Sequence, residues 1–447
     1  MRLLSNFPYD RVLVLGLARS GTAVAKLLLA SNISVRVNDQ SKEITEDITQ
    51  LKNNGAEVIL GSHPTTVLDG IQLLIKNPGI PYSHPLIQLA EERNIPIITD
   101  IELIRYVFPG SITAITGSNG KTTTTRLIEH MLKEEGQLHT VAGNIGTPVC
   151  EVAPVIPEDS KLILELSSFQ LLGIKTFKPN IAVLLNVYEA HLDYHKTLKH
   201  YEEAKYNIFK NQGTTDFIVY NIDDPKIVEA VKKAKAKGVP FSTKQYISEG
   251  ASQKEGYIYF KGKKIIGRKD IVLAGDHHLE NILAAISVAK LYNVSKEAIV
   301  QTLKTFEGVK HRLQFVDEIK GRRFYNDSKA TNILATEKAL QSFRQPTILL
   351  AGGLDRGNSF DALIPSLTNV KHLVVFGENA QKLIEVAEQC KIPFSKVENV
   401  AEAAEAAYKQ SEEGDIILLS PASASWDQYK SFEQRGDMFV NAVHKLK

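Results

Sequence analysis

The sequence has little cysteine and little tryptophan. Its 447 residues include two cysteines and one tryptophan. Cys150 and Cys390 stand far apart, and neither has the Cys/His spacing of a metal site. The simplest interpretation is a protein of the reduced, cytoplasmic compartment in which both cysteines are structural.

Long apolar runs and an excess of charge of one sign are also missing. The apolar run at residues 12–17 is too short for the core of a signal peptide, and no stretch approaches the length of a membrane span. Lys and Arg, 53 in all, nearly balance 51 Asp and Glu, for a formal net charge of +2. This balance gives no support to a nucleic-acid or anionic-membrane partner.

What the chain does have is length and a recurring strand–helix alternation. A chain of 447 residues, 43% hydrophobic and 23% charged, is globular in composition and too long for one ordinary core. Short apolar runs alternate with helical patterns, which predicts an α/β fold with mostly parallel sheets. We expect three domains, at residues 1–99, 100–308 and 309–447, of which the first and third are Rossmann-like and the second is P-loop-like.

The central feature is the stretch 111–123, where a strand pattern breaks at two glycines and a helix pattern follows. A strand, a glycine turn and Lys-Thr at a helix start form a phosphate cradle, in which Lys121 reaches the β- and γ-phosphates and Thr122 binds Mg²⁺. The spacing departs from the usual P-loop, because position 115 is Ile. A glycine pair alone would fit an ordinary strand-to-helix turn. The predicted nucleotide-binding residues are Gly117, Ser118, Asn119, Gly120, Lys121, Thr122 and Thr123.

A second glycine turn lies near the N-terminus. A strand pattern at 12–15 leads into the sequence GLARSG at 16–21, and Asp39 follows the next strand pattern. This βαβ pattern is typical of a Rossmann-like domain. Ala18 replaces the second glycine of the dinucleotide motif, which weakens a dinucleotide hypothesis. A nucleotide site of another kind, or a turn that only packs the helix on the sheet, remains open.

Possible metal ligands follow strands that neighbour the phosphate turn. Glu165 interrupts an apolar run at 162–166, and His191 follows the run at 181–187. Ligands of open α/β sheets gather at the carboxyl edge. Mg²⁺ needs few protein ligands beside phosphate oxygens, so Thr122, Glu165 and His191 are candidates. A lone buried carboxylate is costly, whereas His191 by itself also fits a polar surface residue.

Several short motifs follow one another along the whole chain, each occurring once. They are TGSNGKTT at 116–123, GNIG at 143–146, ELSSFQ at 165–170, NVYEAHLD at 186–193, HR at 311–312, NDSKATN at 326–332, GGLDRG at 352–357 and SPASASWDQYKSFEQRG at 420–436. In this order they resemble the Mur ligases, three-domain ATP-dependent enzymes that form amide bonds in peptidoglycan synthesis. The last motif resembles the branch that adds D-glutamate, and the Asp-Asn-Pro-Arg signature of the diaminopimelate-adding branch is absent.

The resemblance implies a reaction and its partners. The expected activity is ATP-dependent addition of D-glutamate to UDP-N-acetylmuramoyl-L-alanine through an acyl phosphate, with Mg²⁺, by a monomer. The first domain would take the UDP-sugar, the central domain ATP and the third domain the amino acid. A sister Mur ligase or a folylpolyglutamate synthetase-type ligase is the alternative. A nicotinamide-dependent oxidoreductase and a non-catalytic nucleotide-binding scaffold are more distant ones.

The resemblance also implies roles for single residues. Lys121, His191 and Lys205 would be catalytic, with Lys205 carbamylated and a fourth metal ligand beside Thr122, Glu165 and His191. Asn281, Arg312 and Asp327 match ADP-binding positions. The substrate-binding positions are Arg19, Ser20 and Asp39 for the uridine diphosphate, Asn144 for substrate or metal-bound phosphate, and Lys329, Thr331, Ser425 and Phe432 for D-glutamate, with Arg356 where Lys is expected. Each residue also has a structural explanation; Asp327, for example, could cap the following helix.

Overall fold

The computed structural model describes residues 1–188, 191–273 and 278–446, and of residues 192 and 193 only the backbone. It confirms the α/β prediction, since the described chain forms three sheets flanked by helices. Among the described residues, no helix is long and apolar enough to cross a membrane.

The first sheet has five parallel strands in the order β3-β2-β1-β4-β5. This Rossmann-like order confirms the predicted βαβ unit. Side chains of β1 alternate between two cores: Val12 and Val14 pack on one face, and Leu13 and Leu15 on the other. The elements are β1 (Arg11–Leu15), α1 (Arg19–Ala30), β2 (Ser34–Asp39), α2 (Glu46–Asn53), β3 (Glu57–Leu60), β4 (Leu73–Lys76), α3 (Pro85–Glu92) and β5 (Ile97–Ile98).

The second sheet has nine strands in the order β14-β13-β12-β11-β10-β9-β6-β8-β7. Its strands are β6 (Ile112–Thr116), β7 (His139–Gly143), β8 (Lys161–Glu165), β9 (Ile181–Leu184), β10 (Phe217–Asn221), β11 (Lys237–Ser242), β12 (Ala251–Lys254), β13 (Tyr257–Phe260) and β14 (Lys263–Gly267). Its helices are α4 (Lys121–Glu134), α5 (Val149–Val152), α6 (Ser168–Leu172), α7 (Leu192–His195), α8 (Leu198–Tyr206), α9 (Pro225–Val231), α10 (Leu279–Leu291) and α11 (Lys296–Thr305).

The register of the central strands fixes where the site can form. β6 lies between β8 and β9, parallel to both, with Ile115 beside Glu165 and Thr116 beside Leu184. The segments after these three strands therefore leave the sheet at one edge, as expected for a parallel sheet. The loop at 117–120 lies there.

The third sheet has six strands in the order β15-β16-β20-β17-β18-β19, parallel except for the hairpin of β15 and β16. The elements are β15 (Gln314–Ile319), β16 (Arg322–Asn326), α12 (Ile333–Leu340), β17 (Thr347–Gly352), β18 (Val370–Phe376), α13 (Ala380–Gln389), β19 (Phe394–Lys396), α14 (Val400–Gln410), β20 (Ile416–Leu419) and α15 (Phe432–His444). Its core packs on both faces.

Two local predictions need refinement. The apolar pattern predicts a helix at residues 101–108, and the structure has a helix there, of the 3₁₀ type, at Asp100–Tyr106. The sequence at 257–266 predicts a β-hairpin with a basic turn at 261–264, and the hairpin of β13 and β14 is confirmed. The turn is shorter than predicted, because Lys261 and Gly262 have positive φ values of 46° and 74°, while Lys263 and Lys264 belong to β14. Further 3₁₀ helices are Thr65–Leu68, Asn207–Phe209, Arg268–Asp270 and Asp361–Ser366.

Contacts divide the described chain into two compact units. The N-terminal unit comprises residues 1–271 and 278–305 and holds the first two sheets; the C-terminal unit comprises residues 272–273 and 306–446 and holds the third. The predicted boundary at residue 99 separates two sheets inside one unit, so it stays a prediction.

Candidate active site

The predicted phosphate turn is a strand–turn–helix in the structure. β6 ends at Thr116 and α4 begins at Lys121. Gly120 stands at the N-cap with φ 82°, and a Cβ there would lie 2.0 Å from Asn281 Oδ1. Both the backbone conformation and the space require glycine. The turn therefore presents backbone N–H groups and the positive end of a 14-residue helix, which is a site for an anion.

Two lysines converge on the first residue of this turn. Lys121 Nζ donates to the carbonyl oxygen of Gly117 at 2.7 Å, and Lys205 Nζ donates to the same oxygen at 2.9 Å. Lys205 is 1% exposed and lies 4.7 Å from the ring centroid of Tyr201. Burial, and then the charge of Lys121, hold the pKa of Lys205 well below its ordinary value. Lys205 is thus not the solvated surface lysine that its helical position would suggest.

Glu165 is hydrogen-bonded to two other predicted site residues. Its Oε2 accepts a hydrogen bond from Thr122 Oγ1 at 2.8 Å, and its Oε1 accepts one from Asn144 Nδ2 at 2.9 Å. Glu165 is 2% exposed. A carboxylate and a hydroxyl side by side are hard oxygen donors of the kind that Mg²⁺ takes.

The donor set fits a cation that keeps ligands of its own. Among the described residues there is no group of three or more His, Cys, Asp or Glu side chains that could hold a metal. Mg²⁺ needs only one or two protein ligands when phosphate oxygens and water complete its shell. Glu165 and Thr122 are therefore compatible with Mg²⁺ at a bound nucleotide.

His191 lies at the rim of the same region. It is exposed and has φ 56°, and its ring centroid is 5.1 Å from that of Phe169 and 6.2 Å from that of Tyr201. The Tyr201 hydroxyl is 3.0 Å from Ser118 Oγ of the phosphate turn. His191 is thus near the turn through Tyr201, while Glu189 and Ala190 of the same motif lie outside the described residues.

Two asparagine side chains contact the turn and the first part of α4. Asn186 Oδ1 accepts from the backbone N–H of Asn119 at 2.9 Å, and Asn281 Oδ1 accepts from Thr124 Oγ1 at 3.3 Å. Asn281 is a predicted nucleotide-binding residue. Asn186 stands in a motif but is not among the predicted site residues, and its contact with Asn119 is visible only in the structure.

The turn after β1 gathers the predicted uridine diphosphate residues. Asp39 accepts from the backbone N–H of Leu17 at 2.6 Å and of Ser41 at 2.8 Å, and Ser20 Oγ accepts from Asn77 Nδ2 at 3.2 Å. Arg19 is exposed at the first position of α1. These three residues surround one helix N-terminus, and Asp39 orders the turn through both of its oxygens.

Lys76 is a buried lysine that is not among the predicted site residues. It ends the apolar strand β4, is 1% exposed, and its Nζ donates to the carbonyl oxygen of Pro78 at 3.1 Å and to the Tyr194 hydroxyl at 3.3 Å. Burial lowers the pKa of Lys76 to about 7, and the nearby Asp100 opposes this. Burial in turn raises the pKa of Asp100 to about 6.

In the C-terminal unit, Asp327 is buried at the end of β16. It accepts from Ser420 Oγ at 2.9 Å and from the backbone N–H of Leu313 at 3.1 Å. Burial raises its pKa to about 7, against the hydrogen bonds and the charge of Arg312. The capping explanation is wrong, because Asn332 caps α12. Arg312 and Asp327, predicted to bind ADP, are thus close enough to interact.

The predicted D-glutamate residues lie on two segments of this unit. Lys329 Nζ is 5.7 Å from the ring centroid of Phe432, and the Thr331 N–H donates to the Lys329 carbonyl oxygen. Ser425 is 2% exposed, and its Oγ has no hydrogen-bond partner among the described residues. A buried hydroxyl without a partner is costly, which suits a group that a ligand completes.

Arg356 and Arg435 have different surroundings. The Arg356 guanidinium lies 5.2 Å from the ring centroid of Trp426, which is 66% exposed. Arg435 is fully buried and donates to Ser328, Ser423 and Gly352. Its five donors match several carbonyl and hydroxyl oxygens. Arg435 thereby joins three motifs, a role that the sequence motif alone does not indicate.

The chain is similar in sequence to known proteins along its whole length. The chain matches models of the Mur ligase MurD-like N-terminal domain at residues 10–99, the Mur ligase middle domain at 115–289 and the Mur ligase glutamate ligase domain at 311–423. It is 53% identical over 449 residues to a protein of Oceanobacillus iheyensis named UDP-N-acetylmuramoylalanine–D-glutamate ligase, covering 100% of each chain. A protein of the same name from Geobacillus kaustophilus is 53% identical over 446 residues, covering 99% of each.

Solved structures share the fold at low identity. The MurF ligase from Thermotoga maritima in complex with ADP has a TM-score of 0.59 at 19% identity, with 98% of this chain and 99% of that chain covered. The UDP-N-acetylmuramate-alanine ligase MurC from Thermotoga maritima has a TM-score of 0.56 at 20% identity, with 98% and 100% covered. By its full-length identity to curated relatives and its three matching domain models, the chain belongs to the Mur ligase family.

Proposed function

We propose that this chain is an ATP-dependent ligase that adds D-glutamate to UDP-N-acetylmuramoyl-L-alanine in peptidoglycan precursor synthesis. The observation that carries the proposal is the cluster at the phosphate turn, where Lys121 and Lys205 meet at Gly117 and Thr122 meets Glu165. The name shared by the two relatives at 53% identity supports the choice of both substrates.

The reaction has two steps. A substrate carboxylate oxygen attacks the γ-phosphorus of ATP, so that an acyl phosphate forms and the bond to ADP breaks. The amine nitrogen of D-glutamate then attacks the acyl carbon. An amide forms, phosphate leaves, and the amine loses a proton. Since the first step concentrates negative charge, its rate depends on cations that are already in place.

Residues of the phosphate turn supply that charge stabilisation. Lys121 starts α4, so its ammonium and the helix N-terminus act on the same phosphates. Its Nζ contacts the Gly117 and Ser118 carbonyl oxygens, which it would exchange for phosphate oxygens. Bound Mg²⁺ would be held by Thr122, Glu165, His191 and a carbamylated Lys205, and it supplies neutralisation of the transferring phosphoryl group.

Carbamylation of Lys205 resolves a conflict of charge. A lysine ammonium would repel both Lys121 and a metal ion, and burial favours the neutral amine. The neutral amine is the form that adds CO₂. The carbamate is an anionic oxygen ligand that Mg²⁺ accepts. The side chain could then change from a donor at Gly117 to an oxygen ligand of the metal.

The remaining predicted residues bind the other substrates. Arg19, Ser20 and Asp39 take the uridine diphosphate group at the turn after β1. Asn144, which donates to Glu165, contacts the substrate or metal-bound phosphate. Asn281, Arg312 and Asp327 bind the nucleotide. Lys329, Thr331, Ser425, Phe432 and Arg356 take D-glutamate, whose two carboxylates need fixed donors. We further propose that the protein is a cytoplasmic monomer; its two cysteines are both free, which supports the cytoplasmic assignment.

Phosphate release tests the function directly. Purified protein with MgATP and UDP-N-acetylmuramoyl-L-alanine is assayed with and without D-glutamate, and the product is weighed by mass spectrometry. We expect phosphate release that requires both substrates and a product heavier by one glutamyl residue. L-alanine, meso-diaminopimelate and a folate substrate serve as competing acceptors or donors. Preference for any of these would reject the proposal in favour of a related ligase.

A further inference from the structure

Glu280 lies behind the phosphate turn without being among the predicted site residues. It stands in the first turn of α10, next to Asn281. Its Oε2 accepts a hydrogen bond from Asn186 Nδ2 at 3.1 Å, and its Oε1 accepts one from Asn221 Nδ2 at 3.2 Å. Asn186 and Asn221 are 4% and 3% exposed. The carboxylate is thus held between two buried carboxamides.

The orientation of the Asn186 carboxamide is fixed by donors and acceptors. Its Oδ1 accepts from the backbone N–H of Asn119 at 2.9 Å, and a backbone N–H can only donate. The Nδ2 group must therefore point the other way, toward the Asn119 carbonyl oxygen at 3.4 Å and the Glu280 carboxylate. An ionised carboxylate accepts only, so it favours this orientation and disfavours the flipped one.

We infer that Glu280 is a positioning residue for the phosphate turn: it locks the Asn186 carboxamide so that Asn186 holds Asn119 in place. The inference rests on the proposed role of the turn in binding ATP phosphates. Asn119 is one residue from Gly120 and two from Lys121. A displacement of its backbone therefore also displaces the N–H groups that face the phosphates. Glu280 itself contacts no reacting atom in this assignment.

Variants that change hydrogen-bond donors and acceptors, but keep the shape of the side chains, distinguish this positioning role from simple packing. In Glu280→Gln the side chain keeps its shape but offers one acceptor and one donor, so one of the two asparagines faces a donor. In Asn186→Asp the carboxylate still accepts from Asn119 but faces Glu280 as a second carboxylate. In the double variant the introduced amide at position 280 can donate to the introduced carboxylate at position 186 and accept from Asn221. This arrangement restores every bond except the long contact to the Asn119 carbonyl.

The measurements are MgATP affinity and the KM values for MgATP and D-glutamate in the full-length protein. Each single variant is expected to weaken MgATP binding about tenfold, the effect of one lost hydrogen bond to a charged group, with little change in the KM for D-glutamate. The double variant is expected to bind MgATP more tightly than either single variant. Asn221→Ala is the matched control, since it removes the other partner of Glu280 but leaves Asn186 in place.

Three results would overturn the inference. They are wild-type MgATP affinity in Glu280→Gln, losses in the double variant equal to the product of the single losses, and an equal loss in Asn221→Ala. Circular dichroism and the melting temperature show whether each variant is folded; if Glu280→Gln does not fold, Asn186→Asp and its recovery by the second substitution still decide. A wild-type protein that binds MgATP but adds no D-glutamate would reject the proposed function and leave this inference testable.

Discussion

Burial and the nearby Lys121 change the chemistry of the Lys205 side chain. Lys205 is 1% exposed, and its amine contacts the Gly117 carbonyl oxygen and has a pKa well below its ordinary value. We predict that it is carbamylated in the active enzyme. Lys205→Ala should lose most ligation, and short-chain carboxylic acids such as acetate or propionate should restore part of it, because they supply the missing carboxylate. Ligation rates with and without acid are the measurement.

The control for this rescue is Lys121→Ala. That variant should lose ATP turnover while it stays folded, and a carboxylic acid should not help, because the missing group is a cation. A fully active Lys205→Ala enzyme would contradict carbamylation. So would a mass spectrum at neutral pH with bicarbonate, recorded under conditions that preserve carbamates, in which Lys205 is unmodified.

Ser425 is a buried hydroxyl that has no partner among the described residues. If D-glutamate supplies that partner, Ser425→Ala should raise the KM for D-glutamate about tenfold, since one hydrogen bond to a charged group is lost. The KM for MgATP should stay within about twofold. Steady-state kinetics with each substrate varied in turn give both constants.

Ser423 is a matched comparison for Ser425 in the same segment. It is 5% exposed, but its hydroxyl is hydrogen-bonded to Asn379. Ser423→Ala should therefore lower the melting temperature more than Ser425→Ala and change the KM for D-glutamate less. If both substitutions change the KM for D-glutamate and for MgATP equally, Ser425 is a structural residue.

Individual residues show what a sequence can and cannot indicate. Glu165 could be singled out because a carboxylate in an apolar strand needs a reason, and the structure gives it two partners, Thr122 and Asn144. Lys76 carries the same signal, a charge at the end of an apolar strand, but its partner Tyr194 is 118 residues away. Contacts of that kind depend on the fold, so no local pattern indicates them.

At the scale of elements, periodicity predicted the strands and helices that carry the site. β6 and α4 begin and end close to where the sequence patterns change. The apolar spacing at residues 101–108 predicts a helix but not whether it is α or 3₁₀, and the structure forms the 3₁₀ helix Asp100–Tyr106. The two kinds of helix differ in hydrogen bonding, which composition does not distinguish over so short a segment.

The turn between β6 and α4 requires glycine at position 120. Gly120→Ala would put a Cβ at 2.0 Å from Asn281 Oδ1 and force an alanine to φ 82°. We predict a large loss of MgATP affinity, measured by titration, because either the turn or Asn281 must move. The melting temperature should fall as well.

Gly136 provides the control for backbone strain alone. It follows α4 with φ 73°, and a Cβ there would meet nothing within 4 Å. Gly136→Ala should destabilise the protein by about 1 kcal/mol, the usual cost of a left-handed non-glycine residue, and leave MgATP affinity unchanged. If both variants bind MgATP as the wild type does, the close approach of Gly120 to Asn281 is not needed for nucleotide binding.

At the scale of the whole molecule, buried titratable groups link stability to pH in opposite directions. Asp100 and Asp327 have pKa values raised to about 6 and about 7, so the folded state binds protons that the unfolded state has lost and stability falls as pH rises toward those values. Lys76 and Lys205 have lowered pKa values. The unfolded state then binds more protons, and stability rises with pH above the folded pKa.

Lys76 allows the second effect to be measured. Its pKa is about 7 in the folded protein against an ordinary value of 10.5, so its contribution to the free energy of unfolding should grow between pH 7 and pH 9 by about 2 kcal/mol. Lys76→Met has no such group. Urea unfolding of both proteins at pH 7 and pH 9 should show that the wild type gains stability relative to Lys76→Met. Identical pH dependence would mean that Lys76 keeps an ordinary pKa despite its burial. The window stays below pH 10 because Tyr82 and Tyr194, which surround Lys76, have raised pKa values and lose their protons only above that pH.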